Sequence, residues 1–316
     1  MNKREAVLTL LNSGKVPPYI PAAFFLHFDP SCHKGQAAVD KHLEFFHYTE
    51  MDFVKIQYEH AFPHLPEIQL PKDWVKMPLY KKDFFAQPLK VVEGLVKAAK
   101  KDALVVVTLY SPFMCAGQAV DMQVVVKHIE EDPLSVKAGM EIITESLMAF
   151  VKGCIDLGVD GFYHSTQGAE SHRFSDISSF MTCIRPYDLI LMDEINRRCI
   201  FNILHICDYH DSYSDLTPFL EYPGHVVNCS LHLGEKQVNP TEISRLFNRP
   251  YMGGLDRKGV IATGNKDEIR KSAQDVLESA PERFILAADC TVPSDTHWDN
   301  LRTAIETAHQ YKALST

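Results

Sequence analysis

A chain of 316 residues with 46% hydrophobic content is ordinary for a globular protein, and long enough for one large α/β barrel or two smaller domains. Its net charge of −9, with Lys and Arg dispersed among acids, argues against a nucleic acid or an anionic membrane surface as partner. No uncharged apolar run reaches the roughly 18 residues a membrane span requires, and residues 1–15 (MNKREAVLTLLNSGK) read as an amphipathic helix without a cleavage pattern. The expected location is therefore the cytoplasm, where the eight cysteines stay reduced and some of them can serve as ligands.

Eight short apolar, β-rich runs follow one another along the chain: 20–26 (IPAAFFL), 53–58 (FVKIQY), 103–109 (ALVVVTL), 158–163 (GVDGFY), 201–206 (FNILHI), 225–229 (HVVNC), 250–252 (PYM) and 283–287 (RFILA). Between them the apolar positions repeat every three or four residues, as in 91–101, 137–158, 267–280 and 298–314, which predicts helices. Strands that alternate with helices make a parallel sheet, and eight of them close into a single (β/α)₈ TIM barrel more readily than they leave an open sheet. No Gly/Ser/Pro-rich linker and no internal repeat divides the chain, so residues 1–316 are read as a single barrel domain. A doubly wound sheet is the alternative, but the first run lacks the glycine-rich phosphate loop such a sheet normally carries.

Barrel chemistry collects where strands end. The strand ends deliver His27 and Asp29, Gln57 and Glu59, Tyr110 and Ser111, and then His164, Ser165 and Gln167. They continue with His205 and Cys207, Cys229 and Ser230, Asp256 after a glycine pair, and Asp289 and Cys290. Residues two apart on a strand point to one side, so the imidazole of His205 and the thiol of Cys207 can address a common ion. Cys290 holds the corresponding place after the eighth run. One nitrogen and two sulfurs suit Zn²⁺, which takes three protein ligands in catalytic sites and leaves a fourth position open. The competing account makes the two cysteines small buried hydrophobes and the histidine a hydrogen-bonded core residue.

The stretches 251–269 (YMGGLDRKGVIATGNKDEI) and 284–300 (FILAADCTVPSDTHWDN) resemble the uroporphyrinogen decarboxylase superfamily, and the likeness continues through 180–187 (FMTCIRPY) and 158–165. The resemblance implies a (β/α)₈ barrel and one of two activities. One branch decarboxylates uroporphyrinogen without a cofactor, using arginines after strand one and an aspartate after strand two. Here the first place reads Phe24-Phe25-Leu26-His27-Phe28-Asp29, the second offers Glu59, and Gln118 stands where that branch has a tyrosine. The other branch comprises zinc-dependent methyltransferases that work with corrinoid proteins, and its ligand pattern of His-x-Cys and a distant Cys matches His205, Cys207 and Cys290.

The resemblance therefore implies a zinc-dependent methyltransferase. Its partner is a corrinoid protein carrying methylcobalamin, and the methyl group passes between that protein and a small methylated substrate or a thiol or tetrahydrofolate-type acceptor. Glu59 and His164 are the expected proton-handling residues, with His27, Ser165 and Asp256 as substrate contacts. A tetrapyrrole decarboxylase is the alternative activity, and a homodimer is an open expectation.

Overall fold

The computed structural model describes residues 2–12 and 14–311. Its strands are β1 (Phe53–Ile56), β2 (Leu104–Tyr110), β3 (Gly161–Thr166), β4 (Ile203–Ile206), β5 (Val226–Asn228), β6 (His232–Leu233), β7 (Lys236–Gln237), β8 (Tyr251–Leu255) and β9 (Phe284–Ala288). Seven of them form one sheet in the order β1-β2-β3-β4-β5-β8-β9, with every neighbouring pair parallel. β6 and β7 make a small antiparallel hairpin inserted between β5 and β8.

Parallel neighbours require crossovers, and helices supply them. Gly35–Thr49 leads into β1, Ala86–Ala99 into β2, Pro133–Leu157 into β3, Arg185–Arg198 into β4, and Lys266–Glu278 into β9. The longest, Pro133–Leu157, is bounded by local chemistry at both ends. Asp132 caps its first turn by accepting from the Ser135 amide, Pro133 occupies the first turn where no N–H is needed, and Gly158 ends it at φ +90°. Its Val136, Met140, Ile143, Leu147, Phe150 and Cys154 recur at helical spacing and are buried. Trp74 is fully buried against this helix, where a side chain at Gly139 would collide with its ring.

Two sequence expectations need correcting. The run 20–26 is not a strand: it makes one isolated bridge, Ala22 to Leu286, so the sheet has seven strands and an eight-stranded closed ring is not formed by hydrogen-bonded strands. The physical reason lies in Pro21, which has no N–H to continue a ladder, while its carbonyl accepts from Leu286 N and the Ala22 carbonyl accepts from Asp52 N. The run 158–163 starts three residues early, because Gly158 terminates the preceding helix before β3 begins at Gly161. The last helix ends at Gln310, and the predicted positions 312–314 lie outside the described residues, as do Met1 and Ser13 of the predicted first helix. No helix among the described residues is long and apolar enough to cross a membrane.

Candidate metal centre

β4 carries His205 near its end and hands Cys207 to the following turn, while Cys290 follows β9. All three are buried, and their ligand atoms lie within 4.8 Å of one another. Cys207 Sγ is 3.9 Å from Cys290 Sγ, and Cys290 Sγ is 3.4 Å from His205 Nε2. A tetrahedral zinc with bonds of about 2.3 Å to sulfur and about 2.05 Å to nitrogen would set sulfurs about 3.8 Å apart and sulfur from nitrogen about 3.5 Å apart. These two separations agree with those values and the third pair, His205 and Cys207, lies within 4.8 Å, so the donor set fits zinc in chemistry and its two closer pairs fit in spacing.

The surroundings fix these donors. Tyr163 stacks on the His205 ring at 4.7 Å between centroids, and its hydroxyl donates to Asn228 Oδ1 at 2.5 Å. Gln167 Nε2 donates to Cys207 Sγ at 3.4 Å. Nδ1 of His205 is buried without a partner, which leaves Nε2 as the ring atom turned to the sulfurs. A hydrogen bond from Cys290, followed by His205 nearby, holds the Cys207 thiol well below the ordinary range, whereas the proton retained between the sulfurs pushes Cys290 well above it. Of the two thiols, Cys207 is therefore the readier to give up its proton.

The triad forms part of the wall of a pocket of about 290 Å³. Its lining includes His27, Lys55, Tyr110, Ser165, Gln167 and Tyr209. The volume suits a small molecule.

The chain matches the uroporphyrinogen decarboxylase (URO-D) family over residues 51–311. It belongs to that family. No curated protein matches it in sequence. Among solved structures, a methyltransferase from Methanosarcina mazei resembles this URO-D member with a TM-score of 0.76 at 13% identity, over 98% of each chain. A B12-independent methionine synthase from Shewanella sp. W3-18-1, in complex with selenomethionine, gives a TM-score of 0.56 at 10% identity, over 92% of this chain and 97% of that one. At these identities the likeness is one of fold.

The structure distributes the remaining sequence candidates unevenly. Ser165 and His27 line the pocket, the latter with its side chain 40% exposed at the rim. Glu59 stands behind His27 and accepts from its Nδ1 at 2.8 Å. His164 points away from the pocket, because neighbours on a strand face opposite sides and Tyr163 and Ser165 face inward. It is fully buried against the helix Arg185–Arg198, 4.0 Å from Asp188, and burial lowers its pKa to about 3. Asp256 is also elsewhere: it accepts from the Lys258 amide at 2.8 Å in a turn, beside a groove between the β6–β7 hairpin and the helix Lys266–Glu278. Cys229 is buried in the core, where desolvation raises its pKa.

Two residues absent from the sequence candidates stand out. Lys55 of β1 reaches into the pocket, and Asn228 of β5 lies beneath it, donating to the carbonyls of Met252 at 2.9 Å and Ala288 at 3.1 Å. Lys55 was legible by counting two back from Gln57 on the same strand face. Asn228 carried no comparable signal, since a single amide in an apolar strand does not announce its partners.

Proposed function

We propose that this URO-D protein is a zinc-dependent methyltransferase that moves a methyl group between a corrinoid protein and a small substrate or thiol acceptor. The observation that carries the reading is the donor geometry of His205, Cys207 and Cys290, with separations of 3.9 and 3.4 Å that suit one tetrahedral ion. Zinc held there would supply a Lewis acid, lowering the pKa of a thiol or polarising the heteroatom that bears a methyl group.

The chain's own residues divide the remaining work. The stacked Tyr163 and the hydrogen bond from Gln167 orient two of the three ligands. His27 at the rim, backed by Glu59 through one hydrogen bond, would accept the proton that an entering thiol releases. In the thiol direction the acceptor sulfur would take the methyl group, and the corrinoid partner would retain the electron pair of the broken bond. The corrinoid protein would dock over the open end of the pocket, where His27, Tyr209 and His210 lie. The decarboxylase alternative has less support. Among the described residues no arginine lines the pocket, and a volume of about 290 Å³ is small for a tetrapyrrole macrocycle.

Elemental analysis of the purified protein tests the reading. One zinc per chain is expected, with X-ray absorption reporting two sulfur ligands and at least one nitrogen, and with the metal lost when Cys207 and Cys290 are both changed to Ser. The loaded protein should also transfer the methyl group of methylcobalamin to a thiol. A protein that arrives without zinc and refuses it in titration would overturn the proposal.

A further inference from the structure

The pocket wall contains a buried lysine with no carboxylate paired to it among the described residues. Lys55 is only 6% exposed, and its ammonium donates to Gln57 Oε1 at 2.5 Å. Its other neighbours are the faces of Phe25, with the centroid 4.6 Å from Nζ, and Tyr163, at 4.8 Å. Aromatic faces attract a cation but do not neutralise it. No ion pair engages Lys55 among the described residues; the nearest acid along its strand face, Glu59, is bonded to His27.

A hydrogen-bonded chain explains why Glu59 stays there. Lys55 donates to Gln57, Gln57 Nε2 donates to His27 Nε2 at 3.1 Å, and His27 Nδ1 donates to Glu59. Each link fixes the next, and the direction leaves two of the three ammonium donors of Lys55 unused. Burial pushes the Lys55 pKa down to about 7, with Cys290, Glu59 and Cys207 only partly offsetting it. Thr108, also lining the pocket, has a buried hydroxyl with no partner. A buried polar or charged group without a counterpart is costly, and a guest that supplies the counterpart recovers that cost on binding.

We infer that Lys55 and Thr108 form an anion subsite for the end of the substrate remote from the methyl group, and that the substrate is a small carboxylate-class anion. The inference rests on the methyl-transfer reading only in assigning the reacting end to His205, Cys207 and Cys290. Lys55 is a binding residue in this assignment.

The test uses the protein loaded with Co²⁺, whose thiolate charge-transfer band reports a thiol entering the metal site. It is titrated with ω-mercapto acids of two to five carbons and with the matching neutral amides. A charge-assisted hydrogen bond in a closed pocket predicts that at least one acid binds about tenfold to a hundredfold tighter than its amide. In Lys55→Met that preference should fall to near unity while the cobalt spectrum of the unliganded site is retained, and Thr108→Val should weaken it in part. Equal affinities for acid and amide throughout the series would overturn the anion subsite while leaving thiol ligation standing. So would a preference that survives Lys55→Met.

If thiols of neither charge perturb the band, the thiol-acceptor form of the reading fails, and the subsite is then read alone. Acetate, propionate and butyrate, followed by calorimetry, should still bind the parent protein and not Lys55→Met. Indistinguishable binding by the two would remove the subsite.

Discussion

His42 illustrates how a single buried group fixes both a tautomer and a pH limit. Its Nδ1 donates to the Ala38 carbonyl at 2.7 Å, and its Nε2 accepts from the Gln57 amide at 3.0 Å, so both ring nitrogens are satisfied only in the neutral form. Burial lowers its pKa from 6.5 to about 4. A folded pKa below the unfolded one contributes stability that is present above the unfolded value and is lost as pH falls towards the folded value. The protein should therefore lose about 2 kcal/mol through this group between pH 7 and pH 4.5. In His42→Gln, which can still accept from the Gln57 amide, that share of the loss should vanish, as read by urea unfolding at the two pH values. His164, lowered to about 3 by burial, acts with the same sign in both proteins. Asp188, raised to about 7, acts with the opposite sign in both. The difference between parent and variant isolates position 42, and equal slopes in the two would refute the assignment.

Among the elements, the short β5 does more than its three residues suggest. Asn228 accepts from the Tyr163 hydroxyl of β3 and donates to carbonyls of Met252 in β8 and Ala288 in β9, so one side chain joins three strands beneath the candidate metal centre. Removing it leaves buried groups unpaired, which typically costs about 1–3 kcal/mol each before relaxation or water entry. Asn228→Ala should lower the urea midpoint by the equivalent of about 2–4 kcal/mol with an unchanged m-value, and should weaken zinc binding because Tyr163 no longer holds the His205 ring in place. An unaltered midpoint would mean that water replaces the amide.

The same scale separates what was legible in the sequence from what was not. The alternation of β-rich and helical runs gave seven of the strands, because side-chain periodicity is a local property. The run 20–26 misled because its apolar content is that of a strand, while Pro21 and long-range pairing decide whether a ladder forms. The cluster of candidate donors was readable because His205 and Cys207 obey the two-residue strand repeat, whereas by that same repeat His164 and Ser165 face opposite sides.

For the molecule as a whole, the three donors matter because they come from distant parts of the chain. Cys290 is 85 residues from His205 and 83 from Cys207, so a shared ion would join the segment after β4 to the segment after β9 across the pocket. Such a tie acts only in the folded protein, where the donors are already assembled, so binding stabilises the fold by mass action. Free zinc at about 100 times its dissociation constant contributes about 2.7 kcal/mol. In a chain of this size that corresponds to a rise in Tm on the order of 5 °C over chelator-treated protein. The apo form should nevertheless remain folded, since Cys207 and Cys290 share a proton and do not bring two buried negative charges together. Calorimetry with and without a chelator should thus give two cooperative transitions at different temperatures, and Cys207→Ser should lose most of the zinc-dependent rise. Coincident transitions for loaded and stripped protein would mean that the triad, despite its spacing, does not hold an ion in solution.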